Sequence, residues 1–389
     1  MLKEKVQSLA QKHHPEVVNF RRHLHQHPEL SFQEFNTCKF VKTQLESWGV
    51  KTQIMADTGV IGIIEGKNPT SKIIALRADM DALPIQERNE IPFKSQNEGV
   101  MHACGHDAHT SSLLGTARIL QQLREDWQGT IKLIFQPGEE KLPGGASLLI
   151  KEGVLENPKP TEILGQHVEP LLDVGKAGIK GGLFMASADE IHVTVRGKGG
   201  HAAKPQNCID PILITSQLIV QLQQIVSRNT DPLMPTVLSF GKIYSEGGAT
   251  NIIPDEVKIL GTLRTFDEAW RIKLHTILVD RAQLICKSMG GSCDFDISVG
   301  YPFLHNDLKL TEKTRKHMET YLGKENVVEM PARMGAEDFA FYSQKMPACF
   351  YRLGVQNPNG TGLHTPNFNI DEKSLEVGVG LMSWLAMQR

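Results

Sequence analysis

Ile131-Lys132-Leu133-Ile134-Phe135-Gln136-Pro137-Gly138-Glu139-Glu140 is the stretch on which the fold turns. Its apolar half is short and reads as a strand. Pro137 and Gly138 break it, and two adjacent carboxylates follow at once. Open α/β sheets place their sites in this way, at the carboxyl ends of parallel strands.

Outward from this point, strands and helices alternate. Strand-like runs at Val60–Glu65 and Ile73–Leu76 precede a helix over Ala108–Leu123. A short helix near Ala146–Lys151 and a strand at Ile163–Gly165 follow. Ser31-Phe32-Gln33-Glu34 has capping-box spacing, with Ser31 as cap and Glu34 reaching back. The helix it opens carries Phe35, Phe40, Val41 and Leu45 on one stripe and stops at Gly49. The alternation predicts an α/β fold with a mixed, largely parallel sheet flanked by helices.

The pattern changes near Ala186. Strand Ile191–Val195, helix Asp210–Val226, strands Val237–Ile243 and Val257–Arg264, helix Asp267–Met289 and strand Cys293–Val299 form a βαββαβ series. That series is the ferredoxin-like α+β arrangement. The βα pattern then returns, with a strand at Cys349–Leu353 and a last helix near Ser374–Met387. The expected organisation is a catalytic domain in two pieces, 1–186 and 300–389, around an inserted domain at 187–299.

The whole chain supports this division, since 389 residues exceed one ordinary core. The 42 Lys and Arg nearly balance the 44 Asp and Glu, which leaves no electrostatic footprint for nucleic acid or an anionic membrane. No apolar run is long enough to span a bilayer. The N-terminus, MLKEKVQSLAQKHH, lacks the apolar core of a signal peptide. Cys38, Cys104, Cys208, Cys286, Cys293 and Cys349 show no framework spacing and read as reduced thiols. A cytoplasmic protein is expected.

Four segments concentrate ligand-type residues: Arg77–Pro84 with Asp79 and Asp81; His102-Ala103-Cys104-Gly105-His106-Asp107-Ala108-His109; Glu139-Glu140; and Gly165-Gln166-His167. Thiolate, imidazole and carboxylate together suit borderline metals such as zinc, manganese, cobalt or nickel. Cys104 and His106 are two apart in a glycine turn, so both can meet one pair of ions. On extended backbone Glu139 and Glu140 diverge, which lets one bind metal while the other serves as a base. Each residue alone has a plainer explanation: a core cysteine, a solvated glutamate pair, a hydrogen-bonded histidine. Their coincidence at the βα junctions of one sheet favours a metal site.

The chain resembles the aminoacylase and carboxypeptidase family of co-catalytic metallohydrolases. Within it, the similarity is to the branch of hippurate hydrolases, N-acetyldiaminopimelate deacetylases and auxin-conjugate hydrolases. The resemblance rests on RRHLHQHPELSFQE, LRADMDALPIQE, MHACGHDAHT, FQPGEE, GKGGHAAKP, TNIIPDE, GAEDFAFY and GLHTPNF, in order along nearly the whole chain. It implies a homodimeric or tetrameric enzyme that hydrolyses small N-acyl amino acids. It implies two divalent ions per subunit, manganese or zinc, with nickel and cobalt as further candidates. Cys104, His106, Glu140, His167 and His364 fall on the family's metal ligands, with Cys104 bridging, and Glu139 on the general base. Asp81 falls on an aspartate that orients a ligand imidazole. His201 falls on a histidine that reaches the partner subunit's site, and Asn251 and Arg264 on substrate-holding positions.

Two departures touch the pocket walls. Gly138 stands where relatives usually carry Ala, with Lys141-Leu142-Pro143 following the glutamate pair, and Gln206 stands where they commonly carry His. Three alternatives stay open at the level of sequence: a dipeptidase of the same family, a cysteine hydrolase using Cys104 and His106, and a non-catalytic metal binder. Retention of Glu139, which a mere metal binder does not need, speaks against the last.

Overall fold

A computed structural model describes residues 2–246, 249–358 and 360–388. In chain order it places α1 (Leu2–Gln26), α2 (Phe35–Ser47), β1 (Lys51–Met55), β2 (Gly59–Glu65), β3 (Ile73–Asp79), α3 (His106–Gln122), β4 (Thr130–Gln136), α4 (Gly145–Lys151), β5 (Glu162–Glu169) and β6 (Ala177–Ile179). There follow β7 (Asp189–Arg196), α5 (Pro211–Gln224), β8 (Thr236–Ser245), β9 (Glu256–Thr265), α6 (Glu268–Ser288) and β10 (Ser292–Val299). The chain closes with α7 (Leu308–Leu322), β11 (Val327–Glu329), β12 (Ala348–Gly354) and α8 (Lys373–Met387). Short extra strands and turns lie between these. The contacts divide into two compact units: Met1–Phe184 with His305–Ala332 and Asp338–Arg389, and Met185–Leu304 with Arg333–Glu337.

The first unit holds an eight-stranded sheet in the order β1-β2-β4-β3-β5-β12-β6-β11. The central pairs β4–β3, β3–β5 and β5–β12 are parallel, and the outer pairs β1–β2, β2–β4 and β12–β6 are antiparallel. The mixed, largely parallel sheet expected from sequence is therefore present. Strands β4 and β12 are buried along their whole length. In β4 this includes Lys132, whose Nζ donates to the carbonyls of Val154 and Glu156 at 2.7 and 2.6 Å. Burial pulls that amine down to about 8. Leu113 and Leu120 of α3, Val17 of α1 and Val379 of α8 belong to the same core as Leu76 and Leu133.

The second unit is a four-stranded antiparallel sheet in the order β8-β9-β7-β10. Numbered within the unit, that is second, third, first, fourth, the ferredoxin-like order. Alternate burial along β7 puts Ile191, Val193 and Val195 in a core with Leu218 and Leu222 of α5 and Leu274 and Leu278 of α6. Asp210 caps α5 through Ile212 N–H and Leu213 N–H, and Asp267 caps α6 through Trp270 N–H. Asp189, buried at the start of β7, is bound by Arg271, by His275 at 2.7 Å and by the Gly300 N–H.

Three local expectations are corrected. The capping box at Ser31 does not form. The helix begins at Phe35, and Glu29 supplies its cap, accepting the Asn36 and Thr37 N–H groups at 3.1 and 2.8 Å. Ser31 and Glu34 are held by Asp81 and Gly138 instead. Phe35 is 61% exposed and leaves the buried stripe. Strand β5 does not stop at Gly165; it runs to Glu169, because Val168 and Glu169 keep pairing with β12. The long α1 carries no sequence signal strong enough to have been expected, since its buried face includes Arg21 and His25.

Candidate metal centre

The centre belongs wholly to the first unit. Adjacent strands β4, β3 and β5 deliver three of its parts at their carboxyl ends: the Glu139-Glu140 bend, Asp81, and His167 within the strand itself. The start of α3 delivers Cys104 and His106. Gly105 between them has φ +84°, and a Cβ there would lie 2.5 Å from the Val168 side chain. Glycine is therefore required both for the backbone angle and for the close approach to β5.

Cys104 Sγ lies 3.5 Å from His167 Nε2 and 3.3 Å from His364 Nε2. Two groups of ligand atoms, each within 4.8 Å of one another, share that sulfur: Cys104 with His106 and His167, and Cys104 with Glu140 and His364. Glu140 Oε1 stands 3.2 Å from His364 Nε2, and Glu139 Oε2 stands 4.0 Å from His106 Nε2. The backbone at Glu139-Glu140 is bent, not extended as expected, and both carboxylates share a group with His106. Asp81 fixes the bend by accepting both N–H groups, at 3.0 and 2.9 Å.

The donor chemistry fits divalent ions. His106 Nδ1 faces only oxygens, the Asp81 carbonyl at 2.9 Å and Oδ1 at 3.2 Å, so it carries the proton. His167 Nδ1 likewise faces the Val168 carbonyl at 2.7 Å. His167 thus turns a bare Nε2 towards the cluster, the tautomer that ligates metal. Burial opposes charge on His106, but the Asp79 charge and the Asp81 bond hold its imidazole well above the usual range, so an ion at its Nε2 would displace a proton. His106 Nε2 is buried with no hydrogen-bond partner. Burial, then the Arg352 charge, holds the His167 imidazole well below its usual range, which keeps the ring neutral. Contacts with Cys104 and Glu140 push His364 up to about 10, so without an ion the ring itself supplies positive charge to the cluster. Burial pushes the Cys104 thiol up, so ligation through sulfur releases a proton.

Asp81 is fully surrounded. Burial raises its carboxyl, but bonds from His106 and from Ser31, at 2.6 Å, outweigh this and leave it lowered. Sequence reading missed further supports. His109, one turn beyond His106 on α3, meets Asp79 Oδ1 at 2.5 Å and accepts the Val168 N–H at 2.9 Å. Pairing between β3 and β5 ends at Arg77 and Gly165, so this imidazole satisfies an N–H left where the strands part. Arg77 is buried against Asp79, Gln136 and Asp338. Arg21 and His25 of α1 hold Asp107, the residue after His106. The spacing of His106 and His109 on one helix face was the available signal for His109.

His201, Asn251 and Arg264 belong to the second unit. His201 is exposed and pairs with Ile252, while the Asn251 carbonyl accepts the Ala202 N–H at 2.9 Å, so the first two share a loop pair. Arg264, near the end of β9, is half-buried, with Nε on Thr262 and Nη1 3.5 Å from the Met334 carbonyl.

Known proteins are similar to this chain over most of its length. The chain is 40% identical over 377 residues to an N-acetylcysteine deacetylase of Bacillus subtilis, covering 96% of this chain and 97% of that protein. It is 44% identical over 309 residues to an N-acyl-L-amino acid amidohydrolase of Geobacillus stearothermophilus, covering 79% and 82%. A crystal structure of a Bacillus subtilis protein described as a dinuclear metal-binding peptidase superposes with a TM-score of 0.82 at 36% identity, over 97% and 98% of the two chains. The family model for peptidase family M20/M25/M40 matches residues 75–388. With its metal-type cluster at the carboxyl ends of a mixed sheet, the chain belongs to peptidase family M20/M25/M40.

Proposed function

We propose that the protein is an amidohydrolase that cleaves N-acyl amino acids to a carboxylic acid and an amino acid, with two divalent ions per subunit. The observation that carries the reading is the sharing of Cys104 Sγ between two three-residue ligand groups. His106 and His167 on one side and Glu140 and His364 on the other, with Cys104 common to both, would hold two divalent ions. When bound, such ions lower the pKa of water and polarise the amide carbonyl. Manganese and zinc are the first candidates, then nickel and cobalt.

Glu139 takes the proton from the attacking water and passes it to the leaving amine. Asp81 holds the glutamate bend and the His106 ring in the orientation this needs. His201 of the partner subunit donates to the developing oxyanion, a contribution of about 3 kcal/mol to lowering the barrier. Asn251 and Arg264 hold the substrate's carboxylate or acyl oxygen. The segment 187–299 acts as dimerisation and lid domain. Its edge strand β8 carries Ile243 and Tyr244, 54% and 42% exposed, which suits a contact with a second copy. Cytoplasmic residence belongs to this reading, because Cys104 has to remain a thiol to serve. Among the described residues no helix is long and apolar enough to cross a membrane.

A screen of N-acetyl, N-benzoyl and longer N-acyl amino acids tests the reading, with manganese and zinc each added to metal-free protein. Free amino acid should appear only after metal is added. Metal-loaded protein that turns over none of them overturns it.

A further inference from the structure

We infer that Glu34 is a positioning residue for the hydrolysis proposed above: its buried carboxylate fixes the main chain that carries Glu139. The inference rests on that reading for its functional half. Three successive main-chain N–H groups meet carboxylates. Glu34 Oε1 accepts that of Gly138 at 2.7 Å, and the two oxygens of Asp81 accept those of Glu139 and Glu140. Glu34 is 0% exposed. Its Oε1 also accepts the Phe32 N–H at 3.0 Å, and its Oε2 accepts the Thr58 hydroxyl at 2.7 Å.

The contact is close as well as polar. Gly138 has φ +55°, and a Cβ there would lie 2.2 Å from the Phe32 ring. Phe32 is itself at φ +67°, a backbone angle that bulky residues seldom take. The turn Ser31–Glu34 is thus pressed against the residue before Glu139, and Ser31 binds Asp81 from the same turn. Burial, then the neighbouring Asp81 charge, pushes Glu34 up to about 7. An apolar residue here would leave the Gly138 and Phe32 N–H groups and the Thr58 hydroxyl without their acceptor, so the carboxylate is what holds these three groups in place. The task the geometry assigns is to hold Gly138, because a shift there re-aims the Glu139 side chain. A misplacement of about 1 Å at a catalytic group costs roughly a hundredfold in rate.

The test uses full-length manganese-loaded protein and its best N-acyl amino acid. It reads kcat, KM, metal content, and amide hydrogen exchange in a peptide spanning 136–142. Glu34→Ala should lower kcat roughly a hundredfold, leave KM and metal content near wild type, and speed exchange. Glu34→Gln keeps an acceptor for Gly138, and its amide can donate to Thr58. It should restore both kcat and protection. Unchanged kcat and exchange in Glu34→Ala overturn the inference. So does a parallel fall of metal content, or failure of Glu34→Gln to rescue. If Glu34→Ala does not fold, Thr58→Val takes its place. It should give a smaller fall in kcat with faster exchange, and no change in either overturns the inference. If wild type hydrolyses nothing, the amidohydrolase reading fails. Exchange then judges Glu34 alone, and unchanged protection overturns its positioning role.

Discussion

Replacing Arg21 by Met should destabilise the protein by about 3–5 kcal/mol at pH 7, the usual cost of removing one partner from a buried ion pair. Arg21 is 0% exposed on α1. Its Nε donates to Asp107 Oδ2 at 2.8 Å, Nη1 to Glu372 Oε1 at 3.1 Å and Nη2 to Asn369 Oδ1 at 2.7 Å. Met keeps much of the stem and none of the donors. Glu372 retains Arg22 at 2.6 Å, but the buried Asp107 is left with His25 at 2.8 Å. The pH dependence follows from Asp107. Burial opposes its charge, yet Arg21 and His25 outweigh burial and hold the carboxyl well below the usual range. A depressed carboxyl contributes stability above its unfolded pKa, roughly 3.9, and loses it as pH falls through the folded value. Without Arg21 the carboxyl protonates nearer the ordinary range, so the gap between wild type and variant should narrow from about pH 5 downwards. Urea unfolding at pH 7, 5 and 4 measures it, followed by fluorescence of Trp48, Trp127 and Trp384 in the first unit. A gap below about 1 kcal/mol at pH 7, or one that does not narrow in acid, refutes the reasoning.

Three further outcomes are expected. Metal-free protein reconstituted with saturating manganese and desalted should hold more than one ion per chain by elemental analysis, and a value of zero would sink the metal reading. Glu139→Gln should keep its metal while turnover falls by orders of magnitude, whereas Glu140→Gln should weaken metal binding; equal losses of metal in both variants would contradict the division of roles. Glu139→Gln and His201→Ala, each nearly inactive alone, should regain activity when co-expressed, because heterodimers then contain one site with an intact Glu139 and the partner's His201. Heterodimers that form without any recovery would exclude action across the interface.

Much of the frame was legible because it rests on simple periodicities. The runs at Ile73–Leu76 and Ile131–Phe135 could be read as strands, and the βαββαβ series could be read as a ferredoxin-like sheet, because alternation and capping aspartates mark them. The ligand-type residues were legible because Cys104, His106 and the glutamate pair sit at breaks in that pattern. The supports were not. Ser31 and Glu34 have the spacing of a helix cap, and only three-dimensional neighbours, Asp81 and Gly138, draw them away from the helix. Nor does spacing reveal that α1 turns Arg21 and His25 inwards, since that depends on Asp107 lying opposite, 86 residues from Arg21 and 82 from His25. Long-range polar pairing leaves no local period to read.

The shared sulfur has a consequence for how such a protein fails. In the proposed site Cys104 serves both ions. Oxidation of that one thiol to a sulfenic acid would withdraw a ligand from both ions in a single event. Loss under peroxide should then be all-or-none per molecule, with metal leaving in pairs and no stable one-ion species. With Cys104 only 7% exposed, the side chains that bury it set the rate at which oxidant arrives. The same neighbours that assemble the centre would thus also set its working lifetime in an oxidising cell.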